Sequence, residues 1–314
     1  MGKAIEQLKS GLIVGHAGLG FRGGVIGSVR QQVHDGDTIN VRALGNFGVR
    51  FLGVDAPEIS FKLPGGEGFT GLSDTKWEKY LSEPFKNWPR QSRLDKDLIN
   101  YLKHKIKPGV ALNHYRHATQ AKDALGKEVW RDLKDLGQSE EEFQFFLAFA
   151  YEVMDRYGRL LCFINRYQSE GERPLSYNER LLQAGVVNPY FIWPNINPFR
   201  EKKPLVNAVI EPRKAKEEAQ RDPLLRKARE GIRRARREGR GIFNPKDPLQ
   251  LEPFEIRFLA GQRPPSRWVI DLSKNEDVLI KPQKYYTIKN QEDRLYLPEE
   301  YVSLFVAKGW HRQR

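Results

Sequence analysis

The chain has one cysteine, Cys162, in 314 residues, which rules out an intramolecular disulfide. It lies in the apolar run Leu160-Leu161-Cys162-Phe163-Ile164, where a thiol packs as a small hydrophobe. Long apolar runs are absent too; none approaches the roughly 20 residues that cross a bilayer. The N-terminus, MGKAIEQLKSGLIVGHAG, lacks the unbroken apolar core of an export signal, because Glu6 and the glycines interrupt it. An intracellular protein without a membrane span is therefore expected. Acidic residues are in deficit: 40 Asp and Glu face 53 Lys and Arg, a formal charge of +13. That balance favours a polyanionic partner, nucleic acid or an anionic membrane. A membrane-surface role needs bulky apolar residues opposite a basic helix face, and residues 224–240 supply only Leu224, Leu225 and Ile232. With 39% apolar and 11% aromatic residues, wholesale disorder is excluded.

Residues 1–10 read as a short helix and 11–24 as a Gly-rich segment. Gly18-Leu19-Gly20-Phe21-Arg22-Gly23 spells a dinucleotide fingerprint, but that fingerprint needs a helix directly after its glycines, and 25–30 reads as extended. Three strands are expected over 25–55. Ile39, Val41 and Ala43 alternate with Asn40 and Arg42, the period of a half-buried strand. A turn at 44–48 leads to a return strand over 49–54, which Pro57 ends because it cannot donate to a ladder. Residues 61–111 read as an insertion with helical pieces at 77–81 and 94–107. A helix at 113–125 is followed, across 126–129, by a further helix through 136. A strand at 143–151, a tight turn at 155–159 and a strand at 160–164 follow. Ser176 and Glu179 form a capping-box pattern for a helix at 174–184, with Gly185 as its stop. Residues 186–200 read as a loop. A basic helix covers 221–239, capped by Asp222 with Pro223 in its first position. Beyond it, strands are expected around Phe254, Trp268, Val278, Tyr285 and Leu295, and a short helix over 299–307. The chain thus divides into an N-terminal segment, 1–24, a main domain, 25–245, and a C-terminal extension, 246–314.

The expected hairpin, with Asn46 and Phe47 at its tip, sets Asp55 opposite Thr38 and beside Asp37. Asp35 and Glu58 flank the same end. Such a cluster of acids is unfavourable unless a cation sits in it or some of the acids point elsewhere, and all-oxygen donors suit Ca²⁺ or Mg²⁺ rather than zinc. An Asp-Gly-Asp loop by itself is an ordinary turn. Arg50 changes the balance, because a charge inside a strand needs a reason, and Arg159 closes a second turn nearby. A metal that polarises one oxygen, with two guanidinium groups to take the developing charge, is what phosphodiester cleavage requires. The plainer alternative pairs both arginines with neighbouring acids. His114 and His117 share a helix face but have no third ligand candidate nearby, and read as solvated. Residues 200–240 hold fifteen Lys and Arg against seven Asp and Glu. Arg233, Arg234, Arg236 and Arg237 there offer a phosphate-binding face, or else a solvated helix with i, i+4 pairs.

Three segments carry a family resemblance: Val33-His34-Asp35-Gly36-Asp37-Thr38-Ile39, Val49-Arg50-Phe51-Leu52-Gly53-Val54-Asp55-Ala56-Pro57-Glu58, and Asp155-Arg156-Tyr157-Gly158-Arg159. In this order they resemble the signature segments of the staphylococcal (micrococcal) nuclease family, the thermonucleases. Asn178-Glu179 with Leu181, Gly185, and the 229–243 stretch ending in Gly-Ile-Phe resemble the family's later helices. The resemblance covers about 25–60 and 112–245. It implies an α+β fold built on a five-stranded OB-type β-barrel with helices. It also implies a phosphodiesterase that cleaves DNA and RNA with one Ca²⁺ (in preference to Mg²⁺) and leaves 3′-phosphate ends. By position, Asp37, Asp55 and the carbonyl of Ala56 would hold the ion. Glu58 would orient or deprotonate water, Arg50 and Arg159 would clamp the phosphate, and Tyr157 would touch a terminal phosphate. Ala56 stands where the best-known member has Thr, which a main-chain ligand survives. Phe191 and Trp193 stand where two tyrosines flank the base; stacking could persist there, with a hydrophobic plug as the alternative. The insertion adjoins Glu58 and could lid the site. The competing function is a catalytically silent OB-type module that binds nucleic acid or protein. The joint presence of Asp37, Arg50, Asp55, Glu58 and Arg159 favours the enzyme.

Overall fold

Short-range side-chain chemistry sets several helix ends. Ser176 Oγ accepts the N–H of Glu179, and the Glu179 carboxylate accepts the N–H of Ser176 at 2.9 Å, so the helix Tyr177–Ala184 starts with a reciprocal cap. Gly185 ends it in the left-handed region, φ 68°. Asp222 accepts the N–H groups of Leu224 and Leu225 at 3.0 and 2.9 Å and opens the helix Pro223–Arg237. Between Gly109 and Gly137 runs a single 27-residue helix, Val110–Leu136, in place of two shorter pieces. In the insertion, Thr75–Ser82 and Lys96–Lys105 are helices, and Ser60–Lys62 pairs with Phe69–Gly71.

These elements belong to a computed structural model that describes residues 3–8, 10, 13–33, 38–167, 174–199 and 204–314. The fold is α+β. Two sheets position the candidate site. One has three strands in the order Phe145–Met154, Leu160–Arg166, Val49–Phe51; the other has four, in the order Trp268–Asp271, Arg294–Leu297, Asn188–Ile192, Gly53–Asp55. Gly53, at φ 74°, separates the two neighbouring segments. Before it the chain runs parallel to Leu160–Arg166; after it the chain runs antiparallel to Asn188–Ile192. A side chain at Gly53 would need a disfavoured backbone conformation in contact with the rings of Phe163 and Phe191. Buried Asn178 ties the junction down: its amide donates to the Leu52 carbonyl at 2.8 Å and its oxygen accepts the Ile164 N–H at 3.0 Å. Among the described residues the strands form several small sheets and do not close into a barrel.

The expected hairpin is not formed. Val41–Ala43 pairs with Ala17–Leu19, and Asp55 faces Asn188 instead of Thr38. Burial accounts for the difference. Leu52 and Val54 are buried and take partners in the core, whereas Ile39 and Val41 remain about half exposed, at 49% and 58%. Alternation at 39–43 therefore marks a strand without a buried face. Residues 1–10 contain the strand Ile5–Gln7, paired with Ile13–Gly15, and no described helix. A four-residue helix, Val29–Gln32, interrupts the expected strand run. The expected loop at 186–200 contains the strand Asn188–Ile192.

Around Phe254 the chain is a helix, Pro253–Gly261, with Pro253 in its first turn and a Glu252/Glu255 capping box. Its apolar residues are buried on several sides, including Phe254, Ile256, Phe258 and Leu259; a helix buried nearly all round shows no amphipathic period. Around Tyr285 the chain is a 3₁₀ turn, Pro282–Thr287. Strands at Trp268–Asp271, Val278–Leu279 and Arg294–Leu297 and the helix Val302–Ala307 agree with expectation. Segment 246–314 shares the four-stranded sheet with Gly53–Asp55 and supplies residues to both large cores. One core joins Val54, Phe191 and Ile232 to Leu295 and Phe305. The other joins Trp77 and Leu102 of the insertion to Phe254 and Tyr296. Cys162 is fully buried, and burial pushes its thiol up to about 12, consistent with a structural role.

Candidate active site

Asp55 ends the strand Gly53–Asp55 and is 1% exposed. A carboxylate so buried requires close cationic partners, and two arginines meet it. Arg50 Nη2 donates to Oδ1 at 2.8 Å. Arg257 donates from Nη1 to Oδ1 at 2.9 Å and from Nη2 to Oδ2 at 2.7 Å. Arg257 Nη1 also reaches Glu58 Oε1 at 2.8 Å. Two carboxylates and two guanidinium groups thus neutralise one another at the strand end. Burial opposes the charge on Arg257, but Asp55 and then Glu58 outweigh it, and its pKa rises above the ordinary arginine value. Arg50 lies on the preceding strand, Val49–Phe51, with about a third of its side chain exposed.

Glu58 is held from its backbone as well. Its N–H donates to Nε2 of His114 at 2.9 Å. Burial, aided by the charge of Arg257, pushes His114 down to about 3, so the ring is neutral and Nε2 is free to accept. His114 and His117 are both buried, which corrects the expectation of solvated histidines. His117 Nε2 lies 3.0 Å from the Asp247 carbonyl. The readable signal was the spacing of Val110, His114, His117, Ala118 and Ala121, a helix stripe that is buried throughout.

Arg159 is brought near Arg50 by the parallel ladder, which pairs Leu161 with Arg50. The Leu160 N–H donates to the Gly48 carbonyl at 2.8 Å, and the Arg159 side chain passes over Gly48, where an added Cβ would lie 3.2 Å from Cγ. Its guanidinium is engaged by Asp155 through Nε at 2.8 Å and Nη2 at 2.7 Å. Asp155 also accepts the N–H groups of Tyr157 and Arg159, so one carboxylate organises the turn. Tyr157 is exposed, with its hydroxyl accepting from Arg156 at 2.7 Å. The structure thus gathers Arg50, Asp55 and Glu58 into one hydrogen-bonded group and sets Arg159 and Tyr157 on the adjoining turn. The salt-bridge alternative for the arginines is present in the geometry.

Asp35 and Asp37 lie outside the described residues. Among the described residues no group of three His, Cys, Asp or Glu side chains is placed to hold a metal ion. Asp55, the Ala56 carbonyl and Glu58 are hard oxygen donors of the right chemistry for Ca²⁺. As arranged they do not fit the ion, because guanidinium nitrogens already lie against both Asp55 oxygens. Ala56 itself is exposed.

Phe191 and Trp193 are 3% and 1% exposed. Trp193 packs edge-on against Tyr301 and Phe305, with centroids at 5.0 and 5.1 Å, and donates to the Ala208 carbonyl. As placed they are the hydrophobic plug, and neither offers a face to a base. In the basic helix Arg233 donates to Asp293 at 3.0 Å, and Arg236 grips Glu292 with two bonds of 2.6 and 2.5 Å. Those two arginines therefore hold segment 246–314 in place, while Arg234 and Arg237 are exposed. Arg257 was not foreseen. The signal was the one that singled out Arg50: a charge within an apolar run, here Phe254-Glu255-Ile256-Arg257-Phe258-Leu259.

No family model matches this chain, and no solved structure matches it. Endonuclease YhcR of Bacillus subtilis (strain 168) is 24% identical to it over 265 residues, which cover 83% of this chain and 15% of that protein. The chain is similar to a small part of a much longer endonuclease, which supports a nuclease-related family. Among the described residues no helix is long and apolar enough to cross a membrane.

Proposed function

We propose that the chain is a nuclease that hydrolyses phosphodiester bonds in DNA, RNA or both, with a thermonuclease-like site. The observation that carries this reading is the convergence of Arg50, Asp55 and Glu58 at one strand end, beside the turn that bears Arg159. Similarity to an endonuclease over most of the chain supports it. In this reading Arg50 and Arg159 leave their carboxylate partners for the substrate phosphate and take the charge that develops in the transition state. Glu58 orients water and accepts its proton as the water oxygen bonds to phosphorus. The bond to the 5′ oxygen breaks, giving a 3′-phosphate and a 5′-hydroxyl that takes up a proton. The resemblance assigns Asp55, the Ala56 carbonyl and Asp37 to one Ca²⁺, whose contribution would be Lewis-acid polarisation; with Arg257 on both Asp55 oxygens that set does not fit the ion, and the steps above belong to the chain's own residues. We read the strands at 49–55, 145–154, 160–166 and 188–192 as the parts of an OB-type core.

A second reading has an observation of its own. Asp55 is so fully paired with arginine that the site could be a fixed structural knot in a silent binding module. One assay separates the two: digestion of single-stranded DNA, duplex DNA and RNA with Ca²⁺, with Mg²⁺ and with chelator. Cleavage in Ca²⁺ that chelator abolishes is expected. Binding without cleavage under every condition would leave the silent module.

A further inference from the structure

We propose that Arg257 is a built-in competitor of the cation: it occupies the place between Asp55 and Glu58 that a divalent ion would take, so that ion binding requires its release. This rests on the nuclease reading of the site and goes beyond it, because Arg257 belongs to segment 246–314, outside the stretch that carries the family resemblance.

The geometry supports exclusion on three counts. A carboxylate offers about four lone-pair positions, and on Asp55 three are taken, one by Arg50 and two by Arg257. Ca²⁺ requires six to eight oxygens at roughly 2.3–2.6 Å, and the bridge from Nη1 to Glu58 Oε1 occupies an oxygen that would otherwise face the ion's bound water. A guanidinium in hydrogen-bond contact with both carboxylates would also lie within a few ångströms of an incoming divalent ion, and the two would repel.

The helix that carries Arg257 is firmly seated. Glu252 accepts two bonds from Arg294 at 2.9 and 3.0 Å. Glu255 accepts from Lys105 at 2.5 Å and from the Tyr285 hydroxyl at 2.6 Å. Both acids are buried. The helix is therefore held through Glu252 and Glu255, and release of the ion's place falls to the Arg257 side chain. Its long, flexible stem is suited to that. Removing one partner of a buried charge cluster leaves the others less compensated; Arg50 stays on Asp55 Oδ1, while Asp55 Oδ2 and Glu58 Oε1 are freed to face a cation.

The test is calorimetric titration of Ca²⁺ into the whole chain, wild type beside Arg257→Gln and Arg257→Lys, with nuclease activity measured in parallel. Arg257→Gln should bind Ca²⁺ about 10–100-fold more tightly, the equivalent of one charged hydrogen-bond pairing. Arg257→Lys should fall between, since an ammonium cannot bridge both carboxylates as a fork does. On the wild-type chain, where no variant has to fold, nitrogen-15 NMR of the guanidinium groups should show one protected signal lost on Ca²⁺ saturation while the others persist. Unchanged or weaker Ca²⁺ binding in both variants, with wild-type cleavage intact, would overturn the competitor role and leave the nuclease standing. Retention of every protected guanidinium signal at saturation would overturn it too. Tighter Ca²⁺ binding by Arg257→Gln in a chain that cleaves nothing would uphold the competitor role and overturn the nuclease.

Discussion

His114 supplies the sharpest test of the site's architecture. In the folded chain its ring is buried and neutral, with a pKa pushed down to about 3, against 6.5 for the free side chain. Protonating it would turn Nε2 from acceptor to donor, directly against the Glu58 N–H at 2.9 Å. The unfolded chain therefore binds a proton more readily than the folded one below pH 6.5. Its contribution to stability is full above pH 6.5 and is lost as pH falls from there toward 3. Each pH unit in that window costs about 1.4 kcal/mol, so a shift from pH 7.5 to 5 should remove about 2 kcal/mol through this group. His114→Gln is the perturbation, because its amide oxygen can still accept the Glu58 N–H while titrating nothing. Urea unfolding of wild type and variant at both pH values is the assay. Every other group is common to both chains and cancels in the comparison. The variant should start less stable at pH 7.5 through imperfect packing, and the gap should narrow by about 2 kcal/mol at pH 5. A gap that stays constant within about 0.5 kcal/mol would refute the neutral, accepting His114.

Four further outcomes follow from the geometry. Arg50→Ala and Arg159→Ala should each lower turnover by about 10²–10³-fold, with Lys rescuing poorly; near-wild-type turnover in a folded variant would return them to the salt-bridge role. Glu58→Gln should lower turnover by about 10²–10⁴-fold; restoration by excess Ca²⁺ would make Glu58 an ion ligand in place of a base. Asn178→Ala strands a backbone N–H and a carbonyl in the core, and urea unfolding should show a loss of about 2–4 kcal/mol; a loss below about 1 kcal/mol would mean that neither bond matters. Neutralising Arg234 and Arg237 should flatten the slope of log binding constant against log salt by about 0.7 for each phosphate that is no longer neutralised on a single strand, whereas Arg236→Gln, which breaks the grip on Glu292, should act mainly on stability; the reverse pattern would misplace the nucleic-acid face.

Much of the local structure was legible in the amino-acid order. The helix at 177–184 is marked by Ser176, Glu179 and Gly185, and the helix at 223–237 by Asp222 and Pro223. Those caps are interactions over two or three residues, so the pattern and the contact are nearly the same object. The strand at 160–166 and the Asp155-centred turn before it were readable for the same reason. So was the neighbourhood of Arg50, Asp55 and Glu58, which a span of nine residues carries on one kinked strand and its exit.

The rest was decided by tertiary placement. Period-2 alternation at 39–43 says that one face could be buried, and only the competition for partners left it exposed while 49–55 took the core. Phe191 and Trp193 are aromatic residues that suit a stacking platform or a plug equally well; their packing against Phe305 and Tyr301 makes them a plug. The largest change concerns charge. Arg257 stands 202 residues from Asp55 and 199 from Glu58 in the chain, yet it fills the space between them. Amino-acid order shows that a charge sits in an apolar run and therefore needs a counterion. Which counterion it finds depends on how the sheet formed by strands at 53–55, 188–192, 294–297 and 268–271 brings the stretch after 246 against the strand that carries Asp55, and Coulomb attraction acts on that distance in space alone.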